Sequence, residues 1–446
     1  MKRDTPNILL VNPWIHDFAA YDFWAKPLGL LTLASILANH GYNVTYIDCL
    51  DRFHPGGPQT HPYARDGRGP YLKTRIPKPR GLEDVPRNFS RYGIRKKWFR
   101  EDLRSISRPD LVLVTSLMTY WYPGVQETIS VIKEILPAVP IVMGGIYASL
   151  CHDHAANYSG ADRVETGPGE EKILELVGDI TGFSVTTKFA PNDLDTYPYP
   201  AFELQKKIAY VPLLTSRGCP FACKYCASYF LNPKRMVRNP DSVVEEIRYW
   251  HEKYSVEDFV VYDDAFLVEA ENHAVPMLEE IVNAKFKIRF HTPNAVHIRE
   301  ISRKTARLMF KAGFKTLRLG LETAAFENRE EIDQKVTAVE FKRAIACLKD
   351  AGFNKNLIGA YLLTGLPGQK MKSIEDSIKT VQQNGITPIL AHYTPIPHTA
   401  LWKRSVASSR YNLESDPIFT NNTIFPCHNE TFSWKTISYL KNLVKM

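Results

Sequence analysis

The sequence predicts an α/β protein in which a doubly wound parallel sheet is followed by a partial β/α barrel. Three observations predict this class. Short apolar runs alternate with helical patterns along most of the 446 residues. A Pro-, Gly- and Arg-rich segment at 51–99 and a polar linker at 181–207 interrupt the alternation. Polar residues or glycines follow many of the apolar runs. Such alternation is typical of parallel sheets, which bind ligands at the carboxyl ends of their strands.

Strand and helix signals alternate through residues 1–180, which we assign to one α/β domain. The predicted strands are residues 7–11, 43–47, 111–115 and 141–143, and the predicted helices are 28–39, 124–136 and 170–178. Apolar runs of four or five residues identify the strands, and apolar residues at helical spacing identify the helices. This order predicts a doubly wound parallel sheet.

The segment at 51–99 is too long for an ordinary loop, so it is either a functional lid or a partly disordered insert. Between Asp51 and Arg108, 15 Lys or Arg stand against 6 Asp or Glu, whereas the whole chain carries a net charge of +8. The basic excess is therefore confined to one segment. This argues against a protein covered with positive charge for nucleic-acid binding, and we do not expect a nucleic acid as a partner.

Six β/α units follow the linker, over 208–397. The predicted strands are residues 211–216, 259–262, 288–291, 316–321, 357–362 and 389–392, and the predicted helices are 242–253, 272–284, 304–312, 338–349 and 373–384. Six units fit a partial parallel barrel better than a complete eightfold one. The C-terminal extension at 398–446 departs from this rhythm. Its aromatic and thiol side chains are typical of packing, or alternatively line a substrate pocket: Phe419, Phe425, Cys427, His428, Phe432 and Trp434.

Three of the seven cysteines lie close together, directly after the strand predicted at 211–216. Cys219, Cys223 and Cys226 have the spacing C-x3-C-x2-C. Thiolates are the usual ligands of iron–sulfur clusters, and a cubane with three protein ligands keeps one iron open for a small molecule. A zinc site would favour a fourth Cys or His at short spacing, and ferredoxin motifs use more cysteines. The motif therefore predicts a [4Fe–4S] cluster.

This motif, with Tyr225 before its last cysteine, resembles that of the radical S-adenosylmethionine superfamily over about 211–397. The resemblance implies that S-adenosylmethionine binds the cluster and is cleaved to a 5′-deoxyadenosyl radical. It also implies cofactor contacts at the ends of successive strands: Asp263, Asp264, His291, Asn294 and Glu322. Gly359 belongs to the segment 357–368, which resembles the fifth-strand segment that lies against adenine. Other interpretations remain open, because Asp263 and Asp264 would suit a helix cap and Glu322 a helix start.

The N-terminal domain resembles the cobalamin-binding domain of cobalamin-dependent radical enzymes, and the whole chain resembles the class B radical S-adenosylmethionine methyltransferases. The resemblance implies cobalamin contacts at Asn12, Pro13, Leu28, Gly29, Ser116, Gly144, Gly145 and Gly167. Small residues at these places let the backbone approach a bulky ligand. The D-x-H-x-x-G signature is absent, because Trp14 and Ala19 stand where its Asp and Gly would flank His16. Bound cobalamin is thus expected to lack a His ligand from that motif.

We expect a cobalamin-dependent radical enzyme that methylates an unactivated carbon or phosphorus of a small molecule. Alternatives are a ring closure or rearrangement with the same cofactors, a methylthiotransferase, and an electron-transfer or scaffold protein. A methylthiotransferase needs cysteines for a second cluster, and the N-terminal domain offers only Cys49 and Cys151. The expected partners are a small-molecule substrate and a reductase, ferredoxin or flavodoxin as electron donor. The apolar run at 28–38 is too short to span a membrane, and no targeting segment is visible, so we expect a cytoplasmic protein.

Overall fold

The computed structural model describes residues 5–427 and 433–445. It divides into two compact units. The first unit extends to Ala209 and includes Ser415–Ile418, and the second contains Tyr210–Glu414 and the chain from Phe419 onward. Both have a mixed α/β fold with a parallel sheet, so the predicted class is confirmed. No helix among the described residues is both long and apolar enough to cross a membrane.

The described residues of the first unit form eight strands and six α-helices. The strands are β1 (Asn7–Asn12), β2 (Ile15–Asp17), β3 (Asn43–Asp48), β4 (Lys73–Arg75), β5 (Ser90–Tyr92), β6 (Leu111–Val114), β7 (Ile141–Met143) and β8 (Arg163–Val164). The helices are α1 (Leu28–Asn39), α2 (Lys96–Ser105), α3 (Tyr122–Ile135), α4 (Ile146–Leu150), α5 (His152–Tyr158) and α6 (Ile173–Thr181). Five strands form one parallel sheet in the order β3-β1-β6-β7-β8.

Alternate residues of β1 enter two separate hydrophobic cores. Leu9 and Val11 pack with residues of α2 and α3 on one face of the sheet. Ile8 and Leu10 pack with residues of α1 and α6 on the other. Because side chains along a strand point alternately to opposite faces, an unbroken apolar run requires helices on both sides of the sheet. The apolar run therefore produces the doubly wound fold.

The basic insert folds into a small sheet that the sequence did not predict. Strands β2, β5 and β4 pair antiparallel in that order. A small apolar cluster supports the sheet: Ile15, Leu50, Tyr71 and Tyr92. Tyr71 and Tyr92 belong to the insert, so the insert packs against Ile15 and Leu50 of the rest of the first unit. Its short strands escaped prediction because they contain charged residues, as in Lys73–Arg75, rather than an apolar alternation.

The second unit also contains eight strands and eight helices among its described residues. The strands are β9 (Val211–Leu213), β10 (Ser216–Arg217), β11 (Met236–Val237), β12 (Asp258–Val261), β13 (Arg289–His291), β14 (Phe314–Glu322), β15 (Ile358–Thr364) and β16 (Thr387–His392). The helices are α7 (Ser228–Leu231), α8 (Pro240–Tyr254), α9 (Ala274–Ala284), α10 (Arg303–Lys311), α11 (Ala338–Ala351), α12 (Met371–Gln383), α13 (Trp402–Ser408) and α14 (Trp434–Lys445). Six strands pair parallel in the order β9-β12-β13-β14-β15-β16.

Successive strands of this sheet are neighbours, as expected for consecutive β/α units of a partial barrel. Local signals set the helix boundaries. Ser302 and Thr337 each form a capping box at the start of α10 and α11, and Gly352 ends α11 in the left-handed conformation. The strands and helices named from the sequence begin and end within three residues of their observed bounds.

The C-terminal extension packs partly on the second unit. Leu401 and Cys427 form a buried cluster with Leu366 and Tyr393, next to Tyr225. Phe425 contacts Trp434 edge-to-face, with ring centroids 4.7 Å apart. Packing, one of the two interpretations of these aromatic residues, agrees with these contacts. His428 and Phe432 lie outside the described residues.

Candidate active site

The three cysteines lie in the loop between β10 and α7, which we call the cysteine loop. The loop begins at Gly218, whose φ is +84° and where a Cβ atom would lie 2.9 Å from the Lys234 carbonyl oxygen. A side chain does not fit there without displacing backbone. At its other end, the Cys226 amide donates to the Cys223 carbonyl (3.0 Å), and the Ser228 amide donates to the Cys226 sulfur (3.4 Å).

Burial raises the pKa of all three thiols in the cysteine loop, that of Cys223 to about 12. A thiol in such surroundings loses its proton readily only when a strong positive charge nearby stabilises the thiolate, and a metal supplies that charge. No disulfide joins these sulfurs; all three are free. The donor set therefore fits iron. Among the described residues of the second unit, Cys347 lies in α11 and Cys427 in the C-terminal cluster, so neither belongs to the loop.

Asp263 and Asp264 follow β12 and hold the start of the cysteine loop. The buried Asp263 carboxylate accepts hydrogen bonds from the Thr215 amide (2.7 Å), the Thr215 hydroxyl (2.6 Å) and the Ser216 hydroxyl (2.6 Å). Burial raises its pKa to about 6, although these hydrogen bonds oppose the rise. Asp264 accepts from the Gly218 amide at 3.2 Å. Both carboxylates therefore fix the loop from the neighbouring strand end.

Glu322 and Lys335 form a buried ion pair beside the cysteine loop. Glu322 ends β14 with a φ of +58°, and its Oε1 accepts a hydrogen bond from Lys335 Nζ at 3.1 Å. The same ammonium lies 5.4 Å from the ring centroid of Tyr225. Burial opposes its charge, but Glu322 and Cys223 more than offset this and raise the pKa of Lys335. The pair offers opposite charges, which suit the ammonium and carboxylate groups of an amino-acid ligand.

Two of the predicted cofactor contacts, His291 and Gly359, lie against other barrel residues. His291 is fully buried, with one ring nitrogen 3.0 Å from Asp258 and the other 3.0 Å from Thr316. It pairs near the start of the longer β14, and both ring nitrogens are occupied. Gly359 is the second residue of β15, at the end opposite the carboxyl end, and a Cβ atom there would lie 2.3 Å from Ile389.

Asn294 lies on the exposed turn after β13, and its amide donates to the Tyr262 carbonyl at 2.8 Å. Its side chain therefore joins the ends of β12 and β13. Tyr225 sits inside the cysteine loop, and burial together with nearby Glu322 raises its pKa. The structure thus brings Tyr225, Glu322 and the cysteines together, whereas Asn294 contributes to the neighbouring turn.

Sequence reasoning missed two residues that lie against the cysteine loop, Lys335 and His297. The buried His297 has its Nε2 3.9 Å from the Cys219 sulfur, and its ring stacks on Phe221 with centroids 4.7 Å apart. Burial and the positive charges of Lys335 and Arg235 lower its pKa to about 3, so the imidazole is neutral. A single His or Lys far from the cysteines along the chain gives no spacing signal, so only the fold reveals either contact.

The first unit has a second candidate site, at the carboxyl ends of β6 and β7. The Ser116 hydroxyl donates to the Gly144 carbonyl at 2.7 Å. Gly145 has a φ of +104°, and a Cβ atom there would lie 2.2 Å from the Ser116 carbonyl oxygen. The predicted contacts Ser116, Gly144 and Gly145 therefore form one connected turn, in which backbone approaches backbone.

Open space borders two further glycines of this unit. A Cβ atom built on Gly29, near the start of α1, or on Gly167 would meet nothing within 4 Å. Leu28 begins α1 beside Gly29. Bare backbone next to open space fits a bulky, flat ligand such as cobalamin. We call the region of Ser116, Gly144, Gly145, Gly29 and Gly167 the glycine edge.

The remaining predicted contacts of this unit follow β1. Asn12 and Pro13 are buried, and the Asn12 amide donates to Asp48 at the end of β3 (2.8 Å). His16 is also buried, with its Nε2 2.8 Å from Glu127. Its ring is thus engaged with a carboxylate of α3.

Two family models match separate parts of the chain. Residues 213–381 match the radical SAM superfamily, and residues 97–177 match the B12 binding domain. The first range contains the cysteine loop, and the second contains β6, β7 and most of the glycine edge. The chain contains a radical SAM domain and a B12-binding domain. The enzyme's two domains imply a [4Fe–4S] cluster, S-adenosylmethionine and cobalamin as cofactors.

Curated relatives and solved structures agree with this assignment. The enzyme is 25% identical over 337 residues to the anaerobic magnesium-protoporphyrin IX monomethyl ester cyclase of Rubrivivax gelatinosus, which covers 68% of the chain but only 60% of that cyclase. It is also 25% identical to an uncharacterized methyltransferase of Pyrococcus horikoshii, over 68% of the chain and 70% of that protein.

Among solved structures, the radical S-adenosylmethionine methyltransferase TsrM from Kitasatospora setae, with tryptophan substrate and an S-adenosylmethionine analogue bound, has the same fold. Its TM-score is 0.69 at 16% identity, and the match covers 99% of this chain and 89% of TsrM. At this identity the likeness establishes the fold alone.

Proposed function

We propose that this enzyme is a cobalamin-dependent radical methyltransferase that acts on an unactivated carbon or phosphorus of a small molecule. The observation that carries the proposal is the presence, in one chain, of a three-cysteine loop on a partial barrel and an open glycine edge on a B12-binding domain. When bound, the cluster with S-adenosylmethionine supplies a 5′-deoxyadenosyl radical, and cobalamin carries a methyl group. The methyltransferase names among the relatives support the same reaction.

The chain's own residues position these groups. Cys219, Cys223 and Cys226 are the proposed cluster ligands. Glu322 and Lys335 are the proposed partners of the ammonium and carboxylate groups of S-adenosylmethionine, because they are the buried opposite charges beside Tyr225. Asp264 holds the first residue of the loop that carries the ligands, and Asp263 holds the residues that lead into it, as their hydrogen bonds indicate.

In the first unit, the glycine edge is the proposed cobalamin site. Its contribution is shape: bare backbone at Gly29 and Gly167 leaves room, and the connected turn at Ser116 and Gly145 keeps the strand ends rigid. His16, at the histidine position of the absent D-x-H-x-x-G signature, offers no ligand to the cobalt of cobalamin, because its ring is engaged with Glu127.

The test is a stoichiometry measured on anaerobically reconstituted, cobalamin-loaded enzyme. Methylation of an unactivated carbon should consume two molecules of S-adenosylmethionine for each methyl transferred, yielding one S-adenosylhomocysteine and one 5′-deoxyadenosine. With a substrate deuterated at the reacting carbon, deuterium should appear in 5′-deoxyadenosine, and a labelled methyl group from S-adenosylmethionine should appear in the product. Enzyme prepared without cobalamin is the control and should transfer no methyl group.

A ring closure is the second candidate, because the relative from Rubrivivax gelatinosus is a cyclase. It uses the same cofactors, so the product analysis separates the two. Deuterium transfer without a methylated product, and without S-adenosylhomocysteine above background, would establish the cyclisation and refute the methyl transfer. An electron donor of the reductase, ferredoxin or flavodoxin class is part of either proposal.

A further inference from the structure

His297 is placed against the cysteine loop, and none of the roles assigned above uses it. Its Nε2 lies 3.9 Å from the Cys219 sulfur, and only 6% of the residue is exposed. Its Nδ1 is a buried nitrogen for which the described residues provide no hydrogen-bond partner. The contact between Nε2 and the Cys219 sulfur is therefore the hydrogen bond that the described residues provide for this ring.

Neighbouring contacts fix the orientation of the ring. One face of His297 stacks on Phe221, with centroids 4.7 Å apart and an interplanar angle of 29°. Phe221 itself lies between Cys219 and Cys223 in the loop. On the backbone side, the Val296 amide donates to the Arg318 carbonyl of β14 at 2.8 Å. The imidazole is thus held between a barrel strand and the cysteine loop.

An N–H group aimed at a cluster thiolate has a specific chemical effect. Reduction adds negative charge to an iron–sulfur cluster and its sulfur ligands, and a hydrogen-bond donor stabilises that charge. Hydrogen bonds to the sulfurs are one of the factors that set the reduction potential of such clusters. Because Nε2 is the nitrogen nearest the sulfur, the effect requires the tautomer that carries its proton on Nε2.

We propose that His297 is a positioning residue that donates a hydrogen bond from Nε2 to the Cys219 sulfur and thereby raises the reduction potential of the cluster. This rests on the proposed function, since it requires the cluster. It adds to that function a device that makes the one-electron reduction easier for the donor protein.

The test is a redox titration of the full-length, anaerobically reconstituted chain, followed by electron paramagnetic resonance of the reduced cluster. The variant His297→Leu removes the donor, and His297→Gln keeps an N–H group. At a fixed solution potential, His297→Leu should lower the ratio of reduced to oxidised cluster about tenfold, which corresponds to about 59 mV for one electron. His297→Gln should show a smaller decrease, and both should keep the iron content of the unmodified chain.

A matched control is His251→Leu. His251 lies in α8, and its Nδ1 is 2.8 Å from the Val256 carbonyl oxygen, so it contacts no cysteine. This variant should titrate like the unmodified chain. A His297→Leu cluster that also titrates unchanged would overturn the proposal while leaving the cluster and the proposed function intact.

Two further outcomes bear on the role of the ring without needing a stable variant. Electron–nuclear double resonance of the unmodified chain should detect an exchangeable proton coupled to the reduced cluster, and its absence would overturn the proposal. A strong coupling to a directly bound nitrogen would also overturn it, because His297 would then be an iron ligand. If the unmodified chain binds no cluster, the proposed function fails together with this inference.

Discussion

The cysteine loop and the glycine edge are both built at the carboxyl ends of parallel strands, but from opposite materials. Side chains form the site around the cysteine loop. Carboxylates there accept hydrogen bonds from neighbouring residues, and the ion pair of Glu322 and Lys335 is buried. At the glycine edge the backbone itself forms the surface, and Gly29 and Gly167 leave open space. A small, charged ligand needs placed charges, whereas a large, flat one needs the absence of side chains.

This difference determines how each region should respond to substitution. Removing a functional group should abolish binding at the cysteine loop, because thiolates are the usual ligands of iron–sulfur clusters. Adding atoms should be the damaging change at the glycine edge. An added methyl group would meet the Ser116 backbone at Gly145, and it would occupy the open space proposed for cobalamin at Gly29 and Gly167.

The largest effect is expected for the triple substitution Cys219→Ala, Cys223→Ala and Cys226→Ala. It should remove the iron and abolish cleavage of S-adenosylmethionine, because no thiolate of the loop remains. Iron content and the release of 5′-deoxyadenosine measure this outcome. The control Cys347→Ala, in α11, should keep the cluster. A cluster that survives the triple substitution would defeat the assignment of the loop.

The next effect is the opposite kind of change, Gly145→Ala. The added methyl group would lie 2.2 Å from the Ser116 carbonyl oxygen, at a backbone conformation (φ +104°, ψ −165°) that is essentially restricted to glycine. The conformational strain alone costs about 1–3 kcal/mol, and the contact adds to it. We expect a lower urea midpoint and weaker retention of added cobalamin.

Gly29→Ala is the matched control for that substitution. It lies near the start of α1 with nothing within 4 Å of its Cβ position. Because alanine favours helix by up to about 1 kcal/mol relative to glycine, stability should be unchanged or slightly higher. Equal losses of stability in Gly145→Ala and Gly29→Ala would contradict the close approach of Gly145 to Ser116.

The two regions also differ in how far the sequence reveals them. The apolar runs predicted the strands of both parallel sheets except the two-residue β8, and the cysteine spacing predicted one site, because both are local signals. The ion pair of Glu322 and Lys335, and the contact of His297 with Cys219, join residues that are distant along the chain. Only the fold brings them together. The sequence places His291 among the cofactor contacts for the same reason, because its hydrogen-bond partners Asp258 and Thr316 are distant along the chain.

A third prediction compares one carboxylate from each unit, the buried Asp263 and the partly buried Glu127. Asp263 has a pKa of about 6 against an ordinary value of 3.8, because burial disfavours its charge. Between these values the unfolded chain loses the proton while the folded chain keeps it. Asp263 therefore lowers stability as pH rises from about 4 to about 6, by about 3 kcal/mol in all. Above that window the effect is constant.

Glu127 should show the opposite dependence. Burial raises its pKa, but hydrogen bonds with His16 and Lys96 outweigh this and lower it to about 2. Its stabilising contribution is therefore complete above pH 4.5 and is lost as pH falls towards 2. Urea midpoints measured from pH 3 to 8 for Asp263→Asn and Glu127→Gln, each relative to the unmodified chain, should change with pH in these two separate windows. Coincident windows would contradict the two assignments.

The smallest effect is expected at His16, and it separates stability from cofactor binding within the first unit. His16 occupies the histidine position of the absent signature, but its Nε2 lies 2.8 Å from Glu127 and the residue is buried. His16→Ala should lower stability by about 0.5–1.5 kcal/mol, because the partly buried Glu127 carboxylate loses one of its hydrogen-bond partners. The absorption spectrum of bound cobalamin should not change, since the ring is engaged away from any ligand. A spectral shift on this substitution, with the protein still folded, would mean that the imidazole leaves Glu127 to bind the metal. The proposed cobalamin site would then bind its ligand through a side chain, as the cysteine loop does.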